Sequence, residues 1–216
     1  MDCLSISRSF RRDFQANQSL KFEKICNFHM ETNNDLLRNG FVAVMGSPNV
    51  GKSTLINALI GVKIAAVSPW PQTTRKRQLG ILTTDSGQIV FIDTPGIHNP
   101  FHKLGKHMNE EAHSVLDDSD AILVVVDVSK PPNEEDQLLA NIVMRQTRSI
   151  PILMALNKID LVDSEILEDN NAAYEKLFPN TDARIQTSAI LGENLDVMVS
   201  SLYERLPEGP PFFPED

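Results

Sequence analysis

The sequence predicts an α/β fold: a mostly parallel sheet of six strands, with one antiparallel edge strand and helices on both faces. Strand-like and helix-like segments alternate along the chain from Leu36 onward. Some predicted strands are almost continuously apolar, as in Ile122–Val126, which is typical of strands buried on both faces of a parallel sheet. A glycine-rich loop at 46–53 separates the first strand from the first helix and indicates the same three-layer sandwich.

The predicted elements follow one another at short intervals. Their order is strand 41–46, helix 52–60, strands 77–83 and 88–93, helix 103–117, strand 121–127, helix 133–146, strand 150–157, helix 164–176, strand 184–186 and helix 195–206. The Asp-Ser-Gly turn at 84–87 predicts that the two strands around it form an antiparallel hairpin. Pro131 and Pro132 mark a helix start, because proline is tolerated in the first helical turn.

Length and composition fit one ordinary domain with tails. The chain has 216 residues, 41% of them hydrophobic, and its longest apolar run, Ala121–Val126, is far shorter than a membrane span of ~20 residues. A net charge of −9 argues against tight non-specific binding of nucleic acid. Cys3 and Cys26 lie outside the predicted core, so we expect no disulfide framework and a reducing, cytoplasmic location.

Residues 1–29 differ from the rest of the chain. They contain several arginines and serines, as a transit peptide to an organelle would, but they also contain acids and lack an amphipathic stripe. We favour a disordered tail, or an upstream extension of a protein that starts at Met30. The expected organisation is an N-terminal extension over 1–37, one domain over 38–207 and a linker over 208–216.

The segment Gly46–Ser53 has the form G-x-x-x-x-G-K-S and lies between a predicted strand and a predicted helix. In a phosphate-binding loop of this form, the glycines let backbone N–H groups surround the phosphates at the positive end of the helix dipole. Lys52 then reaches the β- and γ-phosphates, and the Ser53 hydroxyl binds Mg²⁺. An ordinary glycine turn is the alternative. The residues predicted to contact the nucleotide here are Gly46, Ser47, Pro48, Asn49, Val50, Gly51, Lys52, Ser53 and Thr54.

The segment Asp93–Gly96 has the form D-x-x-G and ends the strand after the hairpin turn. An acid at the carboxyl end of a strand beside the phosphate loop suits Mg²⁺, usually through water. Gly96 leaves room for its N–H to approach the γ-phosphate, and Thr94 and Pro95 complete the predicted contact set. An ordinary turn is again the alternative.

The segment Asn157–Asp160 has the form N-K-x-D and ends a later strand. The Asp160 carboxylate can accept two hydrogen bonds from guanine N1–H and N2–H₂. Adenine lacks that donor pair and would leave the carboxylate unpaired, at a cost of about 1–3 kcal/mol or more. Asn157 can bind the purine edge or tie this loop to the phosphate loop, and the Lys158 stem can cover the base. A helix cap is the alternative interpretation.

Two segments add less specific predictions. Gln72–Arg75 lies where an ordered threonine can close over Mg²⁺ and the γ-phosphate as a switch; we assign this role to Thr74, with Thr73 as the alternate. Ser188 and Ala189 follow the last strand, and the Ala189 N–H is predicted to contact guanine O6. The predicted metal ligands are therefore Ser53, Thr74 and Asp93.

Taken together, these motifs resemble those of the Era GTPases, which belong with the TrmE and EngA types to the translation-associated P-loop GTPases. The matching segments, over about residues 38–216, are GSPNVGKS, QTTR, DTPG, NKID, TSA and LPEGPPFFPED. The resemblance implies a P-loop NTPase fold, a GTP/GDP cycle with Mg²⁺, and a role in assembly of the small ribosomal subunit. It also implies a C-terminal KH domain that binds the 3′ region of 16S rRNA.

The chain departs from that family at its C-terminal end. It stops where the KH domain would begin and contains no G-x-x-G loop of the kind that clamps RNA in KH folds, so we expect a fragment or a truncated gene. RNA binding is assigned to the longer protein. The resemblance further implies a monomer in the cytoplasm, allows peripheral membrane association, and gives an organellar location if residues 1–29 are a transit peptide.

A second departure concerns hydrolysis. Ile97 follows Gly96, whereas many P-loop GTPases carry a glutamine there that orients the attacking water. The resemblance suggests K⁺ as the compensating group, and our hypothesis is that Asn49 helps to bind it; an ordinary turn residue is the alternative. Slow intrinsic hydrolysis, stimulated by K⁺, is expected. The predicted catalytic residues are Asn49, Lys52, Thr74 and Gly96.

Other features of the sequence do not change this interpretation. The histidines at 98, 102, 107 and 113 lack zinc-site spacing, and Asp163–Asp169 is predicted to be a solvated helix face. Arg75–Arg77 is either an RNA contact or a surface patch. The alternative functions are a related GTPase for tRNA modification or other ribosome maturation, and a guanine-nucleotide-binding scaffold without catalysis.

Overall fold

The computed structural model describes residues 37–61, 78–93, 115–116, 118–146 and 149–213, and for residues 78, 79 and 93 it describes the backbone alone. All of these residues belong to one unit of the chain, Leu37–Asp216. The predicted N-terminal extension up to residue 36, most of the predicted helix 103–117 and the QTTR segment lie outside the described residues. Val115 and Leu116, near the end of that predicted helix, are helical.

Six strands of the described chain form a single sheet. They are β1 (Arg38–Met45), β2 (Gln78–Thr84), β3 (Gly87–Asp93), β4 (Ala121–Asp127), β5 (Ile152–Asn157) and β6 (Ala183–Thr187). Their order across the sheet is β2-β3-β1-β4-β5-β6, and every neighbouring pair is parallel except β2 with β3. The predicted fold class is confirmed, including the antiparallel edge strand.

Helices cover both faces of the sheet. The described α-helices are α1 (Lys52–Gly61), α2 (Glu134–Met144), α3 (Ser164–Leu177) and α4 (Leu195–Tyr203). Leu55 of α1 and Met198 of α4 pack into one buried core, and Leu139 of α2 and Tyr174 of α3 pack into another. Successive residues of β1 point to opposite faces and join the two cores in turn. No helix in the described part of the chain is long and apolar enough to cross a membrane.

Several boundaries differ from those predicted. β1 begins three residues early, because Arg38 pairs with Gly87 at the start of β3, and the polar side chains at this end of the strand concealed the pairing. α2 begins one residue late, because Asn133 is its N-cap and accepts the N–H of Asp136. The 3₁₀ helix Ile159–Leu161 is too short to give an apolar period and was not predicted.

The segment from residue 208 onward, predicted to be a linker, packs back against the sheet. The carbonyl of Leu37 accepts the N–H of Gly209 at 2.9 Å. The side-chain oxygen of Gln88 accepts the N–H groups of Phe212 and Phe213 at 2.9 and 2.8 Å. The chain up to Phe213 is therefore attached to the amino-terminal ends of β1 and β3, at the sheet edge opposite the predicted motifs.

Candidate functional site

The predicted motifs that the structure describes meet at one edge of the sheet. The loop 46–51 follows β1, Asn157 is the last residue of β5, and Ser188 directly follows β6. Because β1, β4, β5 and β6 are parallel neighbours, their carboxyl ends lie along the same edge. Ligands of open α/β sheets bind outside this edge, where loops and helix starts converge.

The loop 46–51 turns sharply before α1. Asn49 and Gly51 both have positive φ angles, of 61° and 99°, and the carbonyl of Gly51 accepts the first helical hydrogen bond from the N–H of Leu55 at 2.8 Å. A side chain at Gly51 is excluded for two reasons. The positive φ angle strains any residue other than glycine, and a Cβ would lie 2.5 Å from the amide nitrogen of Asn157. The tight turn brings backbone N–H groups to the start of α1, as an anion-binding loop requires.

The side chain of Lys52 is buried within this loop. Only 8% of the residue is exposed, and its ammonium donates to the carbonyls of Gly46 and Ser47, both at 2.9 Å. A buried ammonium needs such partners, since an unpaired charge away from water is costly. These contacts hold the positive charge at the mouth of the loop in a fixed position.

The Asn157 side chain joins two loops of the site. Its amide nitrogen donates to the carbonyl of Val50 at 2.8 Å, and its oxygen accepts the N–H of Ala189 at 3.0 Å. The residue is only 2% exposed, so both halves of the amide are buried and paired. Of the two roles left open by the sequence, the tie to the phosphate loop is observed. The helix-cap alternative is wrong, because no side chain caps the following 3₁₀ helix.

The Lys158 side chain forms a second link between the same loops. The backbone of Lys158 is in the left-handed region, with φ of 70°. The ammonium donates to the carbonyl of Asn49 at 2.7 Å and to the carboxylate of Asp127 at 2.6 Å. The aliphatic stem therefore spans from the end of β5 to the phosphate loop, along the edge where a base would lie.

The Asp160 carboxylate is exposed but oriented. One oxygen accepts the hydroxyl of Ser188 at 2.6 Å, and the same hydroxyl oxygen accepts the N–H of Leu191 at 3.2 Å. Ser188 itself is fully buried, so the hydroxyl is a rigid support. The arrangement fixes the direction of an acceptor pair that faces solvent at the sheet edge.

The remaining predicted residues divide between described and undescribed parts of the chain. Ser53 and Thr54 lie exposed in the first turn of α1, and Pro48 is half-buried in the loop. Asp93 is the last residue of β3, in register with Val44 next to the phosphate loop. Within the described ranges, no group of three or more His, Cys, Asp or Glu residues could hold a metal ion. The predicted residues outside those ranges are Thr73, Thr74, Thr94, Pro95, Gly96 and Ile97.

Two acids at the site were missed by the sequence reasoning. Asp127 ends β4 at the same edge and could have been found by the signal that singled out Asp93, an acid at the carboxyl end of a strand. Asp136, in the first turn of α2, is 1% exposed and accepts the Ser47 hydroxyl at 2.7 Å. An acid in the first turn of a helix is common as a capping residue, so its sequence position gives no signal of burial.

The ionisation of Asp127 is set by competing effects. Burial raises the pKa of this carboxyl, but hydrogen bonds from Lys158 and from Ser129, together with the Lys158 charge, outweigh it and hold the pKa below its usual value. The ion pair with Lys158 is largely shielded, with side-chain exposures of 25% for the lysine and 14% for the aspartate. The charged pair is therefore part of what holds Lys158 against the phosphate loop.

Comparison with known proteins identifies the family. A family profile described as a 50S ribosome-binding GTPase matches residues 41–158. The chain belongs to this GTPase family. Within the family it is similar to GTPase Era of Halothermothrix orenii, with 45% identity over 181 residues, and to GTPase Era of Deinococcus radiodurans, with 43% over 182. These matches confirm the resemblance to Era GTPases predicted from the motifs.

The overlap with these GTPases is partial in length. The two matches cover 83% and 82% of this chain but only 60% and 57% of the relatives. Among solved structures, an Era in complex with MgGDPNP and nucleotides 1506–1542 of 16S ribosomal RNA has a TM-score of 0.69 and 37% identity. A variant of Aquifex aeolicus Era bound to GDP and AlF₄⁻ has a TM-score of 0.67 and 36% identity. Each covers 83% of this chain, which spans 61% of either protein.

Replacing Asp127 by asparagine should remove an acid-dependent part of the stability of this GTPase domain. The folded-state pKa is below the unfolded value of ~3.9, so the carboxylate contributes stability that is fully present above about pH 5 and is lost as pH falls through the folded pKa. Asp127→Asn should cost about 1–2 kcal/mol of unfolding free energy at pH 7, and this difference should shrink towards pH 3.

Denaturant unfolding at several pH values checks this prediction. Asp169→Asn, which removes an exposed carboxylate on α3, serves as the matched control and should follow the wild type throughout. If the unfolding free energies of Asp127→Asn and wild type differ by the same amount from pH 7 to pH 3, the assigned role of the Asp127–Lys158 pair is contradicted.

Proposed function

We propose that this chain carries a guanine-nucleotide switch domain that hydrolyses GTP, within a protein that acts in assembly of the small ribosomal subunit. The observation that carries the proposal is the Asn157 side chain, which fastens the phosphate loop to the loop of Ala189. A phosphate-binding element and a base-selecting element are useful only if they are held at a fixed separation. Nucleotide recognition therefore depends on the two loops together.

The phosphate loop binds the β- and γ-phosphates. Its backbone turns at Asn49 and Gly51 into the start of α1, where helix N–H groups and the helix dipole favour an anion. Lys52 supplies positive charge, and the two carbonyls that accept its ammonium protons hold it in place.

Guanine is selected at the loop of Asp160. The Ser188 hydroxyl orients the carboxylate, whose remaining lone pairs accept N1–H and N2–H₂ of guanine. The Lys158 stem covers the base, because both ends of that side chain are fixed. The Ala189 N–H already donates to Asn157, so its predicted contact with guanine O6 would have to share that donor.

Magnesium fits the residues that flank the phosphate loop. Ser53 lies exposed in the first turn of α1, and Asp93 ends the neighbouring inner strand. Thr74 completes the proposed oxygen ligands, with Thr73 as the alternate; hydroxyl and carboxylate oxygens suit this ion. When bound, Mg²⁺ neutralises charge between the β- and γ-phosphates.

The ribosomal role rests on the relatives. The family profile is described as a 50S ribosome-binding GTPase, whereas the structure of an Era relative was solved with a segment of 16S rRNA. We favour the small subunit because the Era proteins match 82–83% of this chain, while the family profile covers only residues 41–158. We assign the 16S rRNA contact to a KH domain of the longer protein. That protein acts as a monomer in the cytoplasm, and peripheral association with a membrane is compatible with this role.

Replacing Asp160 by asparagine should change the preferred base from guanine to xanthine. The variant keeps an oxygen that can face Ser188 and N1–H, and it offers an N–H₂ donor to the 2-oxo group that xanthine carries. Asp160→Asn should weaken GTP binding by about 100-fold or more and improve XTP binding, because each mismatch leaves a polar group unpaired against the bound base. Titration of fluorescent GTP and XTP analogues measures both.

Asp163→Asn, three residues further on, is the matched control. Asp163 is exposed and makes no side-chain cap to α3, so its preference for GTP should equal that of the wild type. Equal affinity of the wild-type chain for GTP, ATP and XTP would contradict guanine selection by this loop.

We further propose that hydrolysis by this domain depends on potassium. The Asn49 side chain is exposed at the turn of the loop, while its carbonyl is already held by Lys158. The side-chain oxygen of Asn49 is therefore the group that would bind K⁺, which would supply positive charge to the phosphates. Single-turnover hydrolysis should be about 10-fold or more faster in K⁺ than in Na⁺ at equal ionic strength, as expected for loss of one charge-stabilising group.

Two variants test the role of Asn49. Asn49→Gly removes the side chain while accepting the left-handed backbone, whereas Asn49→Ala also adds strain at φ of 61°. Both should abolish the K⁺ stimulation. Equal rates in K⁺ and Na⁺ would contradict the potassium hypothesis, and tight GTP binding with no hydrolysis in either salt would favour the scaffold alternative.

A further inference from the structure

A buried carboxylate connects α2 to the phosphate loop. Asp136 is 1% exposed and Ser47 is 2% exposed, and the serine hydroxyl donates to one carboxylate oxygen at 2.7 Å. The other oxygen accepts the N–H of Asn133 at 3.0 Å and the hydroxyl of Tyr174 at 3.2 Å, a hydroxyl whose single proton also lies within reach of the Asp127 carbonyl at 3.3 Å. Three donors therefore surround a carboxylate that has almost no contact with water.

Helix capping does not account for this arrangement. A capping box at the start of α2 uses one oxygen of Asp136, to accept the N–H of Asn133, and such first-turn acids can perform it at the surface. Burying a carboxylate costs free energy unless several donors satisfy it. The oxygen that capping does not need is the one bound by Ser47.

Ser47 links Asp136 to Lys52. The Ser47 hydroxyl faces Asp136, while the Ser47 carbonyl accepts the Lys52 ammonium at 2.9 Å. Rotation of the Ser47 peptide would move the carbonyl and the ammonium together. The hydroxyl bond to Asp136 restrains that rotation from outside the loop.

We propose that Asp136 is a positioning residue for the phosphate loop, which acts through the Ser47 hydroxyl to hold the carbonyl that fixes the Lys52 ammonium. The inference rests on the proposed function, because it takes Lys52 as the ligand of the β-phosphate. α2 thereby becomes a support of the nucleotide site.

The test compares how much binding affinity each variant gains from the β-phosphate of the nucleotide. The readout is the ratio of the dissociation constants for GMP and GDP, measured by competition against a fluorescent guanine nucleotide. Ser47→Ala should lower this ratio by about fivefold to tenfold, the effect of one hydrogen bond to a charged group. Ser47→Thr, which keeps the hydroxyl, should retain most of the wild-type ratio.

Tyr174→Phe is the matched structural control. It also removes one hydrogen bond to Asp136, so its midpoint of thermal unfolding should fall about as much as that of Ser47→Ala, but its ratio should change by less than about twofold. In the Asp136→Ala background, Ser47→Ala should lower the ratio no further, because the two residues act as one unit.

The outcomes separate this inference from the proposed function. A wild-type chain that gains nothing from the β-phosphate overturns the proposed function and this inference with it. A wild-type ratio well above one that Ser47→Ala leaves intact overturns this inference alone. Equal falls in the ratio for Ser47→Ala and Tyr174→Phe also overturn it, since they reduce the role of Asp136 to general stability.

Discussion

The site depends first on one buried side-chain amide. Asn157 donates to the phosphate loop at Val50 and accepts from the loop of Ala189, so two segments 139 residues apart in sequence share one rigid connector. An amide suits this position because it offers a donor and an acceptor on opposite sides. A carboxylate would repel the Val50 carbonyl, and an apolar side chain would leave both backbone groups buried and unpaired.

The surrounding architecture follows from that connector. Gly51 has no side chain where a Cβ would meet Asn157, and the parallel order of β1, β4 and β5 brings the two loops to the same edge. Lys158 and Asp127 add a charged link beside the amide. Asp136 supports the loop from the α2 side. The phosphate loop is thus held by neighbours from three directions, which favours a site assembled before nucleotide binds.

Periodicity and motif order predicted most of this from sequence. Continuous apolar runs located strands such as β4, and the order of motifs placed Lys52, Asn157 and Asp160 at one edge. The start of β1 was missed because Arg38 is polar and pairs with β3 through its backbone. Asp136 was missed because its burial depends on Tyr174, 38 residues later, and no local pattern encodes that contact. Long-range polar pairs of this kind become visible only when the chain is folded.

The central claim is that Asn157 holds the two loops as one assembled unit, and amide hydrogen exchange without nucleotide tests it most directly. In Asn157→Ala the amides of Ala189 and Leu55 should both exchange about 10-fold faster, because the carbonyl of Val50 loses its partner and loosens the loop that ends at Gly51. Asn141→Ala, on the exposed face of α2, should change neither. Faster exchange at Ala189 with wild-type exchange at Leu55 would contradict the account.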